Sequence, residues 1–401
     1  MARNYKTFYL NTIGITIRQV NLKAFIVSFI FIFMPEIWLK YGPTDIALDI
    51  NFGNLLAEVS PDLPLLSDDD ITTKLSDIPM SNNMLIVALS RSKPVQRVTE
   101  ILRHVINSKG FEGVDVNTLP KMADRFSKQG FNIGSDDSPF FLAKRYENVT
   151  FISRISYDPL FGFSGAPTTI LRHYMEEQML LAFESRPGNL PNPGVDCPPL
   201  AVALSASEKL SAASLELVTS SSGISGIYWG NVCDAFHKAK EKLTSTTTYQ
   251  VDQARSAIVA GSNELVFSSL TTSLNLLWNA VHVVQENGSI VLLAENQHGL
   301  GEGALQMFVE GKMKSQDLYK RGFYVPGLEH LIYMDNLRQQ FDLGILSSLP
   351  QYYLKKLGFE SYTRGNNVLE SLLAKHGRKH KIIVSSAADL TLLMLREQKM
   401  S

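Results

Sequence analysis

The order of apolar and polar positions divides this chain into short segments that repeat one unit. "NMLIVALS" (83 to 90) is a compact apolar run, followed by the polar "RSKP" and the amphipathic "VQRVTEILRHVINSKG", which ends on Gly110. That order predicts a buried strand, a loop, a helix and a glycine cap, the elementary α/β unit. "NVTFISRIS" (148 to 156) predicts a second strand, running through the hinge "DPLFGFSGAPTT" into the helical "ILRHYMEEQMLLAFE". Upstream, "IWLKYGPTDIALDI" alternates on both sides of Gly42 and Pro43, a hairpin signal. In "LSDDDITTKLSDI", Ser67 and three aspartates stand where free helix amides need acceptors.

The second half repeats the pattern. "ELVFSSL" predicts a strand, "SLNLLWNAVHVVQEN" a helix closed by Asn287 and Gly288, and "SIVLLAE" a strand that leads through the glycine-rich "NQHGLGEG" to the helix start "ALQMFVEG". "QFDLGILSS" and "HKIIVSSA" predict two more short strands with a helix between them. "RPGNLPNPGVDCPP" is an irregular loop, "NVCDAFHKAKEKL" a helix and "TSTTTYQ" a polar connector. The fold class is therefore α/β: two domains, each with a mostly parallel or mixed sheet flanked by helices, and a ligand cleft between them. The expected boundaries are 1–33 for an extension, 34–250 for the first domain and 251–401 for the second.

Composition narrows the class of partner. A chain of 401 residues with 45% hydrophobic positions has room for two cores. Its 38 basic and 39 acidic residues leave a net charge of −1, so no global field favours nucleic acid, and an anionic ligand must be met locally. A small-molecule anion or hydroxy acid is the expected partner. Cys197 and Cys233 form no framework of disulfides, which points to a reducing, cytoplasmic setting. "AFIVSFIFIFM" (24 to 34) leaves three readings open: a signal h-region, a membrane anchor, or an upstream extension with Met34 as the true start.

Three loops after strands hold the candidate chemistry, because ligands of open α/β sheets sit beyond the strands' carboxyl ends. In "SRSKP", two hydroxyls and two cations follow a strand and precede a helix, where Arg91 or Lys93 beside free helix amides can hold a carboxylate or phosphate; a solvated basic loop is the alternative. In the hinge, Gly162 and Gly165 admit a close backbone approach, Ser164 offers a hydroxyl and Asp158 a base, against the alternative of a tight corner. In "AENQHGLGEG", Glu295 and His298 flank Gly299 and Gly301, without the spacing of a dinucleotide fingerprint. Asp158 and His298 are the catalytic candidates; Ser90, Lys93, Gly162, Ser164, Gly165, Glu295, Gly299 and Gly301 are the binding candidates. The eight histidines form no HExxH or paired Cys motif, and no metal ligands are assigned.

The order of four segments resembles the lactate racemase (LarA-like) family of nickel-pincer nucleotide enzymes, from about Met34 to Leu393. "MPEIWLKYG" is similar to the family's opening, "LFGFSGAPTTI" to its "AGFSGGAK" segment, "GNVCDAFHKA" to its "GDPxxAH" helix, and "NGSIVLLAENQHGLGEGALQMF" to its "AECxxGxG" loop. The resemblance implies an isomerase acting on 2-hydroxy acids and a nickel-pincer nucleotide cofactor. It also marks departures. Thr168 stands where the tethering lysine is expected, and Asp158 at a catalytic histidine position. "GFEGVDVNTLP" has no histidine where the family's second one belongs. Ser90 and Lys93 replace the acid and the arginine of "DxTRP", and Leu270 and Thr272 replace a substrate-binding tyrosine and lysine, while Asn275 and Leu276 are kept. The implied function is a racemase or epimerase scaffold with altered or lost catalytic residues; the alternative is a non-catalytic nucleotide- or anion-binding regulatory homologue.

Overall fold

The computed structural model describes residues 36–119 and 145–396. The apolar segment 24–34 and the boundaries drawn at 33 and 34 lie outside the described residues. Among the described residues no helix is long and apolar enough to cross a membrane.

The chain opens with the expected hairpin, β1 (Glu36–Tyr41) against β2 (Thr44–Asp49), turning at Gly42. After β3 (Leu55–Val59) comes α1 (Asp68–Ser76). The Ser67 hydroxyl accepts the Asp70 amide, and the Asp70 carboxylate accepts the Ser67 amide, so two of the helix's unmet donors are satisfied reciprocally. Ser67→Ala is expected to cost about 1 kcal/mol in urea denaturation.

The first α/β layer is β4 (Met84–Ala88), α2 (Lys93–Ser108), β5 (Asp115–Thr118), β6 (Asn148–Arg154), the small hairpin β7 (Ser156–Asp158) with β8 (Gly162–Ser164), helices α3 (Ala166–Tyr174), α4 (Glu176–Glu184) and α5 (Pro198–Ser207), then β9 (Ala213–Thr219), β10 (Ile224–Asn231) and α6 (Val232–Thr247). Its sheet has the order β10-β9-β6-β4-β5, parallel except for β10. The second layer has β11 (Thr248–Val251), β12 (Ala254–Ala260), α7 (Leu270–Trp278), β13 (Val284–Leu293), α8 (Ala304–Val309), α9 (Leu328–Leu337), β14 (Phe341–Leu346), α10 (Gln351–Lys356), β15 (Glu360–Tyr362), α11 (Gly365–His376), β16 (Ile382–Ser385) and β17 (Leu392–Leu395). Its sheet, β15-β14-β13-β12-β16-β3, is parallel throughout and takes β3 from the start of the chain as its edge. The fold is α/β with two main sheets flanked by helices. One continuous apolar cluster runs through both layers, from Phe151, Phe161 and Phe183 to Trp278, Leu292 and Tyr333.

Several local expectations differ from the structure. "ELVFSSL" is a 3-10 turn (Glu264–Phe267) leading to α7, because the Asn263 side chain accepts the Leu265 amide and starts a turn there. The strand lies one segment earlier, in β12. The helix expected over 273–287 stops at Trp278; Val281–Val283 form a 3-10 turn, and the long β13 begins at Val284. Asn287 (φ +57°) and Gly288 then form an irregularity within that strand, where the ladder to β12 shifts between Ala254 and Ser256. The connector "TSTTTYQ" continues α6 to Thr247, its Thr246 and Thr247 hydroxyls donating to Lys242 and Leu243 carbonyls, and then becomes β11. The helix expected after the hinge is broken at Met175 (φ −133°, ψ 70°), and two helices flanking β15 stand where one was expected before β16.

Candidate functional site

The carboxyl ends of the central strands of both sheets face one cleft. From the first sheet come Ser92 and Lys93 beyond β4, Arg154 at the end of β6, and Thr219 at the end of β9 with the turn Ser220 to Gly223. From the second layer come Ser262 and Asn263 beyond β12 and the hairpin turn with Lys40 and Gly42. The cleft encloses about 520 Å³, a small-molecule volume. Among the described residues its lining carries Lys40, Arg91, Lys93, Arg97 and Arg154 against the single carboxylate of Asp68.

Local sequence explains why the "SRSKP" wall is built to receive something. Ser92 takes the N-cap conformation of α2 (φ −64°, ψ 142°), but its hydroxyl makes no capping bond, and Pro94 sits in the first turn. A sixteen-residue helix therefore points its partial positive end into the cleft without a side-chain acceptor. Ser92 is 7% exposed and its Oγ has no partner; Thr219 Oγ1, across the cleft, is likewise buried and unmet. A buried hydroxyl without a partner costs about 1–3 kcal/mol. Two such hydroxyls thus line the one cleft. Arg97 is committed to Asp68 at 2.5 Å, whereas Lys40, Arg91 and Lys93 enter no ion pair among the described residues.

The floor is a preorganised polar unit. Asp389, 6% exposed, accepts the Ser262 amide at 2.7 Å, the Ser262 hydroxyl at 2.9 Å and the Asn263 amide nitrogen at 3.3 Å. Arg154 Nη1 reaches the same carboxylate at 3.4 Å.

Of the residues singled out in the sequence, Arg91 and Lys93 line this cleft. Ser90 supports it from behind, its hydroxyl accepting the Ser92 amide at 3.2 Å. Glu295 lies behind the Gly42 turn: a Cβ at Gly42 would strike its carboxylate, and its buried Oε2 has no partner. Burial, helped by the Glu295 charge, pushes the Tyr41 hydroxyl up to about 12. The Gly299–Gly301 loop packs against the start of α7: the Gly299 carbonyl accepts the Leu270 amide, the Leu300 carbonyl accepts the Thr271 amide, and a Cβ at Gly301 would strike the Thr271 side chain. His298 is exposed on that loop, its amide donating to the Ser268 carbonyl.

The hinge segment forms a separate buried centre. It is a hairpin rather than a strand-to-helix corner, with Asp158 Oδ1 accepting the Leu160 and Phe161 amides at 2.8 Å each. Gly162 turns it at φ +77°, where any Cβ would run into the Val195 carbonyl. Ser164 is half-buried at the end of β8. Gly165 is packed against Phe236 and Glu216, which leaves no room for a Cβ. Arg172 joins Asp158 (3.1 Å) to Glu329 of α9 (2.9 Å), so the Asp158 carboxylate is engaged between the two layers. Beside this pair, Trp278 donates to His330 Nδ1 at 2.9 Å, and burial holds that imidazole below its ordinary range.

Thr168, fully buried, spends its hydroxyl on Gly165, accepting that residue's amide at 3.0 Å and donating to its carbonyl at 3.1 Å. A cofactor attached through this position has no amine to attach to. Among the described residues no group of three or more His, Cys, Asp or Glu side chains is arranged to hold a metal ion. These residues do not fit a covalently tethered nickel-pincer nucleotide.

Sequence reasoning missed Arg154, Thr219, Ser262, Asn263, Asp389 and Glu216. Two signals were present: the terminal arginine of a buried strand, and the hydroxyl cluster "TSSSG" in a turn.

No family model and no curated protein matches this chain. Among solved structures it is similar to the lactate racemase apoprotein from Thermoanaerobacterium thermosaccharolyticum, with TM-score 0.74 and 16% identity over 90% of this chain and 100% of that one. It is also similar to a Thermotoga maritima protein, with TM-score 0.56 and 13% identity over 84% of this chain and all of that chain. The chain thus has the two-layer α/β fold of the lactate racemase apoprotein, a LarA-like fold.

Proposed function

We propose that this protein binds a small organic anion, a hydroxy acid or a phosphorylated metabolite, in the interlayer cleft, on a racemase-type scaffold whose original catalytic parts are altered. The observation that carries this reading is the uncapped start of α2, where the buried Ser92 hydroxyl and Lys93, both without a partner among the described residues, face a cleft rich in cations. Helix amides, a hydroxyl donor and an ammonium together make a receptor for carboxylate or phosphate. The likeness to a lactate racemase supports a small hydroxy acid as one ligand class. Racemisation through a lysine-tethered cofactor is not part of the proposal, since Thr168 is locked into the helix start.

Titration of the protein with inorganic phosphate and with lactate, followed by calorimetry and thermal shift, tests this reading. At least one of them is expected to bind. Lys93→Ala is expected to weaken that binding about tenfold, the equivalent of about 1.4 kcal/mol. Binding that survives unchanged in Lys93→Ala, or no binding of either anion, would sink the proposal. The enzymatic alternative predicts interconversion of D- and L-lactate, which polarimetry detects; we expect none.

A further inference from the structure

Arg154 gives the cleft a second anion point, distinct from the start of α2. Ala88 of β4 stands level with Ile152 of β6, and the Leu89 amide donates to the Ile152 carbonyl at 2.9 Å. Arg154, at the end of β6, lines the same cleft as Ser92 and Lys93 beyond β4. The Arg154 side chain is 18% exposed, lines the cleft, and is held by one long contact of 3.4 Å to Asp389. Among the described residues its other donors enter no hydrogen bond, which leaves them for a planar acid group. Asp389 does not depend on Arg154, because the Ser262 amide, the Ser262 hydroxyl and Asn263 already donate to it.

We infer that the cleft selects a ligand with two separate acid groups, one on Ser92 and Lys93 and the other on the Arg154 guanidinium, as in a phosphorylated carboxylic acid. This rests on the anion-binding reading above and sharpens it: a lone phosphate would fill one end of a cleft of about 520 Å³ and leave Arg154 unused. Asp389 then serves as a positioning residue, fixing the guanidinium so that its free edge faces the cavity.

The test compares glycerol 3-phosphate with 3-phosphoglycerate, which differ in one carboxylate on the same carbon skeleton. In the unmodified protein, calorimetry is expected to show at least tenfold tighter binding of 3-phosphoglycerate. Arg154→Gln should erase that preference while leaving glycerol 3-phosphate within about twofold, and Lys93→Ala should weaken both. Arg154→Lys keeps a charge without the fork and should retain only part of the preference, which keeps the test usable if the glutamine variant folds poorly. Equal affinity for the two compounds in the unmodified protein, or a preference that persists in Arg154→Gln, overturns the second point and leaves the anion-binding reading standing. No binding of either compound, together with none of inorganic phosphate or lactate, overturns both.

Discussion

Replacing Arg172 by Met is expected to cost about 3–5 kcal/mol of folding stability, the range for removing one partner from a buried ion pair. The guanidinium donates to Asp158 at 3.1 Å, to Glu329 at 2.9 Å and to the Tyr324 hydroxyl at 3.1 Å, and lies 4.8 Å from the centre of the Phe161 ring. Its partners are nearly enclosed, with side chains 9% and 3% exposed. Burial alone would raise the Glu329 carboxyl; the charge and hydrogen bond of Arg172 outweigh it and hold the group below the usual carboxylate range. Without Arg172, Glu329 keeps a buried Oε2 that already lacks a partner, and Asp158 keeps only its turn amides. Urea denaturation should show the loss as a lower midpoint with an unchanged slope. Adding Asp158→Asn and Glu329→Gln to Arg172→Met should recover more than half of it, because the cost comes from stranded charge. Recovery failing in the triple variant would mean that packing over Phe161 dominates.

Glu216→Gln is expected to stabilise the protein increasingly from pH 5 to pH 8. Glu216 is fully buried in β9, where one carboxyl oxygen accepts the Ala166 amide at 2.6 Å and the other has no partner. Burial pushes its carboxyl from 4.5 up to about 8, and the single amide bond opposes that only in part. The folded protein therefore holds a proton that the unfolded chain gives up above about 4.5. Between those two values the native state binds more protons, so the stability from this group is fully present below 4.5 and is lost as pH rises toward about 8. A shift of that size corresponds to a loss of order 5 kcal/mol, a large share of the stability of an ordinary domain. Glutamine keeps the acceptor for Ala166 and does not titrate. The difference in melting temperature between Glu216→Gln and the unmodified protein should thus widen with pH, while other titrating groups cancel. A difference that is flat with pH would place the carboxylate in a solvated setting and contradict the buried geometry.

How much of this was legible before folding varies from element to element. Ser67 with Asp70, and the apolar run of β4 followed by the amphipathic α2, announce themselves because capping and burial periodicity act over a few residues. The boundary of α7 did not, because valines that end a helix and valines that fill a parallel strand look alike until neighbouring strands are in place. Lys93 was legible as a candidate, since a cation after a strand and at a helix start can meet an anion wherever the sheet lies; that it lines the cleft came from the fold. Arg154 was not, because its meaning depends on β4 lying beside it.

The sequence by itself determined the α/β class, the two-part plan, the hairpin at Gly42 and the helix start at "SRSKP", all of which rest on local periodicity and turn chemistry. Only the tertiary structure decided that β3 crosses to edge the second sheet, that Asp158 belongs to an ion-paired centre between the layers, and that Arg154, Ser262 and Asn263 meet Lys93 across one cleft. The physical reason is that charge pairing, desolvation and cavity lining depend on distances between residues far apart in the chain. Those distances exist only once both sheets are packed.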